Sequence, residues 1–172
     1  DDPSKIYIAE ESGGAFEALY TSTDSGDSFV KSHEGQRVYF TYNQFDYGQA
    51  PRDMDIAVNP SNADEIHLAG ILTWRSIDGG VTFQNTSEWQ PGLAASQNIG
   101  DSHPDIDIME YVGTTLYLGT DGGIYKAENP GGTVDADFFT DMSEGLGIRQ
   151  FYKIGISQTQ DVVVTGGAQD NG

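Results

Sequence analysis

The octet "SIDGGVTF" runs from Ser76 to Phe83, and "STDSGDSF" runs from Ser22 to Phe29. Both read Ser-x-Asp-x-Gly-x-(Ser/Thr)-Phe, and their aspartates, Asp24 and Asp78, stand 54 residues apart. Gly26 and Gly80 can take a left-handed conformation that other residues resist, which permits a tight hairpin between two strands. The Asp carboxylate can accept hydrogen bonds from N–H groups of its own turn, and the Ser or Thr hydroxyl can add another. Phe29 and Phe83 are expected to turn inward as apolar plugs. Ser22, Asp24, Gly26, Phe29 and Ser76, Asp78, Gly80, Phe83 are therefore read as hairpin locks that require no substrate.

Working outward, short β-rich runs closing on a small residue recur: "KIYIAE" (Lys5–Glu10), "EIHLAG" (Glu65–Gly70), "TLYLGT" (Thr115–Thr120) and "VVVTGG" (Val162–Gly167). Strands also precede three of these runs, as "MDIAVNP" (Met54–Pro60), "DIDIMEY" (Asp105–Tyr111) and "YKIGISQ" (Tyr152–Gln158). In the third unit Asn129 replaces the octet aspartate, and an insertion, "TVDADFF" (Thr133–Phe139), separates the glycines from their aromatic partner. Four strands in each repeat of about fifty residues is the arithmetic of a β-propeller blade. The expected fold is all-β, with four-stranded antiparallel blades at about 1–50 (partial), 51–100, 101–150 and 151–172 (partial). All belong to one domain. A propeller closes with about four to eight blades, so this chain is expected to be a portion of a larger one, of about seven.

With 172 residues and 37% hydrophobic content the chain falls in the globular class. Its formal charge of −19 opposes the phosphate neutralisation that nucleic-acid binding needs and repels anionic membranes. It contains no cysteine, which excludes disulfides, thiolate metal sites and thiol catalysis. No apolar run approaches the ~20 residues of a membrane helix, so no membrane insertion is expected. No signal peptide is visible in this segment, and a start at Asp1 rather than Met points to a processed or excised piece.

The octets resemble Asp-box repeats, also called BNR repeats. That family includes sialidases, xyloglucan-cleaving endoglucanases, sortilin-type receptors and large secreted bacterial proteins. The resemblance implies that the boxes lie on the outer rim, away from the ligand face. It extends to "GTDGGIYK" (Gly119–Lys126), which is similar to a Thr-Asp-x-Gly-Gly-x-Tyr segment of xyloglucan-cleaving propellers, and by that match Asp121 would be a catalytic acid or base. "GGAQDNG" (Gly166–Gly172) offers Asp170 as a second carboxylate, with Gln169, Asn171, Tyr125 and Trp74 as ligand contacts. Both stretches are also ordinary turn sequences. From Gly119 to Gly172 the chain is similar to large secreted bacterial Asp-box proteins, which carry a Gly-Gly-x-Gln-Asp-Asn-Gly string after a Gly-Leu-x-Ile-x-Gln-Phe-Tyr connection.

In "GDSHPDID" (Gly100–Asp107), strand alternation would put His103, Asp105 and Asp107 on one face. With Asp101 they make a candidate site for calcium or another hard cation, although Pro104 argues for a loop. A similar segment, "PRDMDI" (Pro51–Ile56), carries Asp53 and Asp55. No cofactor is required. Trp74, Trp89 and the aromatics of "VYFTYNQFDYG" (Val38–Gly48) could stack on sugar rings or fill a core. Sialidase activity is rejected, because only four arginines are present and no Phe/Tyr-Arg-Ile-Pro segment exists. The leading expectation is a glycan- or protein-binding module of a secreted or cell-surface bacterial protein, completed by further blades of the same polypeptide. The alternative is a xyloglucanase-like glycoside hydrolase.

Overall fold

A computed structural model of the chain describes residues 4–43, 48–147, 151–158 and 161–168. The first sheet joins β1 (Ile6–Ser12), β2 (Ala15–Ser22) and β3 (Val30–Glu34). The second has the order β4 (Asp55–Asn59), β5 (Asn62–Ala69), β6 (Thr73–Ser76) and β7 (Gln84–Asn85). A connection follows in which β8 (Ser87–Glu88) pairs in parallel with β9 (Gly100–Asp101). Between them lies a short helix, α1 (Pro91–Gln97), which strand periodicity does not anticipate. Pro91 is tolerated at its start, and Asn98 closes it at φ 54° in the left-handed region.

The third sheet repeats the second, as β10 (Ile106–Val112), β11 (Thr115–Thr120), β12 (Gly123–Ala127) and β13 (Thr140–Asp141). A two-stranded sheet of β14 (Phe151–Ile156) and β15 (Val164–Ala168) follows. All pairings within these four sheets are antiparallel between strands consecutive in sequence. The chain is thus all-β, with two complete four-stranded sheets of one topology.

Period-two alternation explains how the sheets stack. Along β5, Ile66 and Leu68 point into a core with Phe16, Leu19, Tyr39 and Phe40 of the first unit. The alternate residue Ala69 faces Met109, Leu116 and Leu118 of the third sheet. Leu116 and Leu118 occupy the places in β11 that Ile66 and Leu68 hold in β5, and all four are fully buried. The corresponding residues of β1, Ile6 and Ile8, are 37% and 47% exposed, because no described sheet covers that face.

Polar contacts fix the neighbouring sheets in register. Ile106 N–H donates to Gly70 O (2.9 Å), and Met109 N–H donates to the Asp55 carboxylate (2.5 Å). Farther along, buried Glu65 accepts from Tyr111 Oη (2.7 Å) and Asn59 Nδ2 (3.0 Å), and His67 Nε2 lies 3.2 Å from it. Arg75 of β6 donates to the carbonyls of Pro130 and Gly132 in the third unit, at 2.7 and 2.6 Å.

Candidate functional site

Strand direction sorts the polar turns onto two ends of the sheets. In the second sheet Ser76 pairs with Ile66 at one end of β6, and Thr73 pairs with Ala69 at the other. The octet therefore leaves from the end at which β5 begins, and Asp55, paired with Ala69, enters at the opposite end. In the third sheet the same reading puts Asp107 and the β11–β12 turn with Asp121 at the end where Arg52 and Asp53 lead into β4.

At the octet end the two locks match nearly bond for bond. Ser28 donates to Asp24 through its N–H (2.9 Å) and its hydroxyl (2.6 Å), and Ser22 Oγ donates at 2.7 Å. Thr82 donates to Asp78 at 2.9 and 2.6 Å, and Ser76 Oγ donates at 2.7 Å. The serine oxygens in turn accept from Gly26 and Gly80 N–H, at 2.9 and 2.8 Å. The Ser28 hydroxyl, followed by that of Ser22, pulls the Asp24 pKa down to about 2. At Asp78 desolvation is the largest single influence and pushes the pKa up, yet the bonds from Thr82, Ser76 and Val81 together bring it down to about 2. Every carboxylate contact is spent within the hairpin.

One expectation for the octets needs correction. Phe83 packs against His33 and Tyr39 of the preceding unit, with ring centroids 5.3 and 5.0 Å apart, but Phe29 is 39% exposed. The plug needs a sheet on its far side, and no described residue supplies one for Phe29.

At the other end the turn after β11 is held by Thr120, whose Oγ1 accepts from both Gly122 and Gly123 N–H at 3.1 Å. The hydroxyl takes the role that an Asp would play in such a turn, which leaves the Asp121 carboxylate outside the turn's hydrogen bonds. Gly122 is required by contact: a Cβ there would sit 2.1 Å from the His103 ring. That close approach seats the Ser102–Asp105 segment against the turn, and Asp121 N–H donates to Asp105 O (3.3 Å).

A cluster of carboxylates results. Asp53 is 1% exposed, and neither of its oxygens has a hydrogen-bond partner among the described residues. Arg52 lies between it and Asp121, with Nε 3.5 Å from Asp53 Oδ1 and a terminal nitrogen 3.8 Å from Asp121 Oδ1. Gln49 Nε2 donates to Asp105 (2.8 Å). Desolvation, reinforced by the negative charge of Asp105, Asp107 and Asp121 and offset in part by Arg52, raises the Asp53 pKa to about 6. Asp107 and Asp121 line a cavity of about 380 Å³ with Ile108, Ser143, Leu146 and the glycine-rich backbone of residues 119–123.

Other predicted site residues lie elsewhere. Asp170, Gln169 and Asn171 fall outside the described residues. Trp74, expected as a ligand contact, packs in the core between the first two sheets, 4.9 Å from the Tyr39 ring. Its place on β6 turns it toward the stacked sheet rather than toward a cleft. Tyr125 is half-buried against the core between the second and third sheets. Trp89 is the exposed tryptophan, 43% accessible and set edge-to-face with Tyr42 at 6.2 Å.

The proposed calcium quartet is not gathered. Asp101 belongs to β9, His103 lies in the loop with Nδ1 3.0 Å from Pro104 O, and Asp105 takes φ 58°. Alternation therefore does not carry from His103 to Asp107. Among the described residues no group of three or more His, Cys, Asp or Glu is disposed to hold a metal ion. The sequence shows "PRDMDI" only as a segment similar to the one before β10, whereas in the fold Arg52 reaches both Asp53 and the Asp121 turn. Their signal was the likeness of that segment to "HPDIDI".

No protein-family model matches the chain, and no curated protein matches it. Among solved structures it is similar to the crystal structure of an ancestral GH74 enzyme, at 18% identity and a TM-score of 0.41. The alignment covers 75% of this chain and 16% of that one.

Proposed function

We propose that the chain is a run of blades from an Asp-box β-propeller, and that its acidic end is the ligand-binding face of a glycan- or protein-binding module. In this reading the parent is a secreted or cell-surface bacterial protein, and further blades of the same polypeptide cover Ile6 and Ile8. One observation carries it: the cavity lined by Asp107 and Asp121 opens at the end of the sheets opposite the self-satisfied octets. Asp121 keeps its carboxylate out of its own turn, as a ligand contact requires.

Glycoside hydrolysis is the second reading, favoured by the presence of two carboxylates, Asp107 and Asp121, on one cavity. It needs a general acid that touches the glycosidic oxygen, and Asp53, the carboxyl beside Asp121 whose pKa is raised, is too deeply buried to do so. Binding is therefore preferred. Calorimetric titration with a panel of soluble polysaccharides and candidate proteins, with sugar release followed in parallel, tests both readings. Saturable binding that Asp121→Asn weakens, without sugar release, supports the module. Reducing ends released by the native chain but not by Asp121→Asn establish the hydrolase instead.

A further inference from the structure

We propose that a second ligand site, at the same end of the sheets as the cavity of Asp107 and Asp121, takes an acidic sugar: Arg37 holds the carboxylate of a uronic acid residue, and the sugar chain lies on the aromatic pair Tyr42 and Trp89. The site goes beyond the reading above, and neither its grounds nor its test use Asp107 or Asp121.

Strand direction places it. Val30 of β3 pairs with Thr21 beside the octet, and Glu34 pairs with Ala18 toward the other end. β7 runs the same way, with Gln84 opposite Arg75 and Asn85 opposite Trp74. Residues 35–43 and 86–90 therefore leave their sheets at the end away from the octets. Arg37–Tyr39 form a single 3-10 turn, and Tyr39, Phe40 and Thr41 are buried beneath it. Arg37 and Tyr42 thus stand on a fixed base.

Charge at this place is the first ground. Gly35, Gln36, Arg37, Val38, Tyr42 and Asn43 line a cavity of about 410 Å³, and Arg37 is the charged side chain on that wall. Its guanidinium has no hydrogen bond or ion pair among the described residues, whereas Lys5, Lys31, Arg52 and Lys126 each meet a carboxylate and Arg75 meets two carbonyls. Glu34, the nearest acid along the chain, is taken by Lys31 at 3.1 Å. In a chain with 27 acidic residues, a cation that none of them neutralises, on a cavity wall, favours an anion from outside. The planar fork of a guanidinium fits a carboxylate through two parallel bonds. Charge farther off than about 8 Å is screened at physiological ionic strength, so the local cation decides.

The aromatic pair is the second and independent ground. Trp89 is 43% exposed and lies edge-to-face with Tyr42, ring centroids 6.2 Å apart. Buried Glu88 accepts from the N–H groups of Trp89 (2.9 Å) and Gln90 (3.2 Å), and Gln90 Nε2 donates to Tyr42 Oη (3.0 Å). Both rings are thereby held in place, with the carboxamides of Gln36, Asn43 and Gln90 near Tyr42. A pyranose ring has the matching division, with C–H groups on its faces and hydroxyls around its rim, and the electron-rich face of an aromatic ring attracts the former. A wholly apolar ligand would leave the carboxamides unpaired, and an inorganic anion would leave the rings uncovered.

The test is titration of the 172-residue chain, in calcium-free buffer, with trimers of galacturonic acid and of glucuronic acid and with the carboxyl-reduced form of each. Binding is read by calorimetry and by tryptophan emission. Trp74 packs in the core, so a blue shift on binding reports Trp89 and should vanish in Trp89→Phe. At least one uronate trimer is expected to bind tenfold or more tightly than its reduced form. Among variants with native circular dichroism, Arg37→Gln should weaken it at least tenfold, Arg37→Lys less, and Trp89→Ala at least threefold. Lys153→Gln, which removes a charge of the same sign from β14, should leave it unchanged. Equal binding of the reduced trimer, indifference to Arg37→Gln, an equal loss in Lys153→Gln, or no binding of either uronate trimer overturns the proposal. The acidic peptide Gly-Glu-Tyr-Glu-Gly binding as tightly as the better uronate also overturns it, because the site would then read carboxylates and not sugars. All of these outcomes leave the Asp107 and Asp121 cavity to its own test with Asp121→Asn.

Discussion

Two aspartates show how environment assigns a role to one residue type. Asp78 accepts from Ser76, Val81 and Thr82, and its pKa falls to about 2, below the ~3.9 of an unfolded aspartate. Its contribution to stability is therefore present above pH ~4 and is lost as pH falls toward 2. Asp78→Ala should cost about 1–2 kcal/mol at pH 7, a gap that closes in urea melts at pH 2. Asp53 has the opposite sign. Its folded pKa of about 6 means that the fold prefers the neutral acid, so stability is greatest below pH ~4 and declines as pH rises to 6. Asp53→Asn, a permanent neutral mimic, should raise the melting temperature by about 3–6 °C at pH 7.5 and leave it unchanged at pH 4. A pH-independent difference in calorimetric scans would refute the assignment.

At the scale of elements, equivalent strands are set apart by what covers them. Leu68 in β5 and Ile8 in β1 hold matching places, the first buried and the second nearly half exposed. Leu68→Ala should cost about 2–5 kcal/mol in denaturant melts and Ile8→Ala less than about 1.5. Equal costs would mean that β1 is covered in solution. The second and third sheets are further joined by Tyr111 Oη donating to Glu65, where desolvation pushes the pKa up but the bonds from His67, Tyr111 and Asn59 outweigh it and hold it low. Tyr111→Phe leaves a buried carboxylate one donor short, and should cost about 1–3 kcal/mol with little change in the spectrum of the folded chain.

For the molecule as a whole, the stacking rule implies an unsatisfied face. Ile6, Ile8 and Phe29 are exposed in the first unit, where the same positions of the next unit are covered. Exposed apolar side chains gathered on one face drive association. The native chain should self-associate at high concentration in sedimentation velocity runs, and an Ile6→Lys, Ile8→Lys double variant should remain monomeric. A native chain that stays monomeric throughout would show that the face is not adhesive.

The strands were legible because each carries a local signal: an apolar run ending in a small residue, then a turn whose glycine and aspartate have a mechanical reason to be there. The octet bonds could be read from "SIDGGVTF" because all their partners lie within a few residues. Asp121 was legible as a candidate, and its turn was not, because the sequence does not say whether Thr120 or Asp121 would satisfy the glycine N–H groups. What the sequence determined by itself was therefore the all-β order and the hairpin locks, since these depend on neighbours along the chain. Only the tertiary structure decided that Trp74 fills a core, that Phe29 finds no sheet to plug among the described residues, and that Arg52 meets Asp121 from 69 residues away. Those outcomes depend on which sheet lies against which, and burial and charge coupling follow distance in space rather than distance along the backbone.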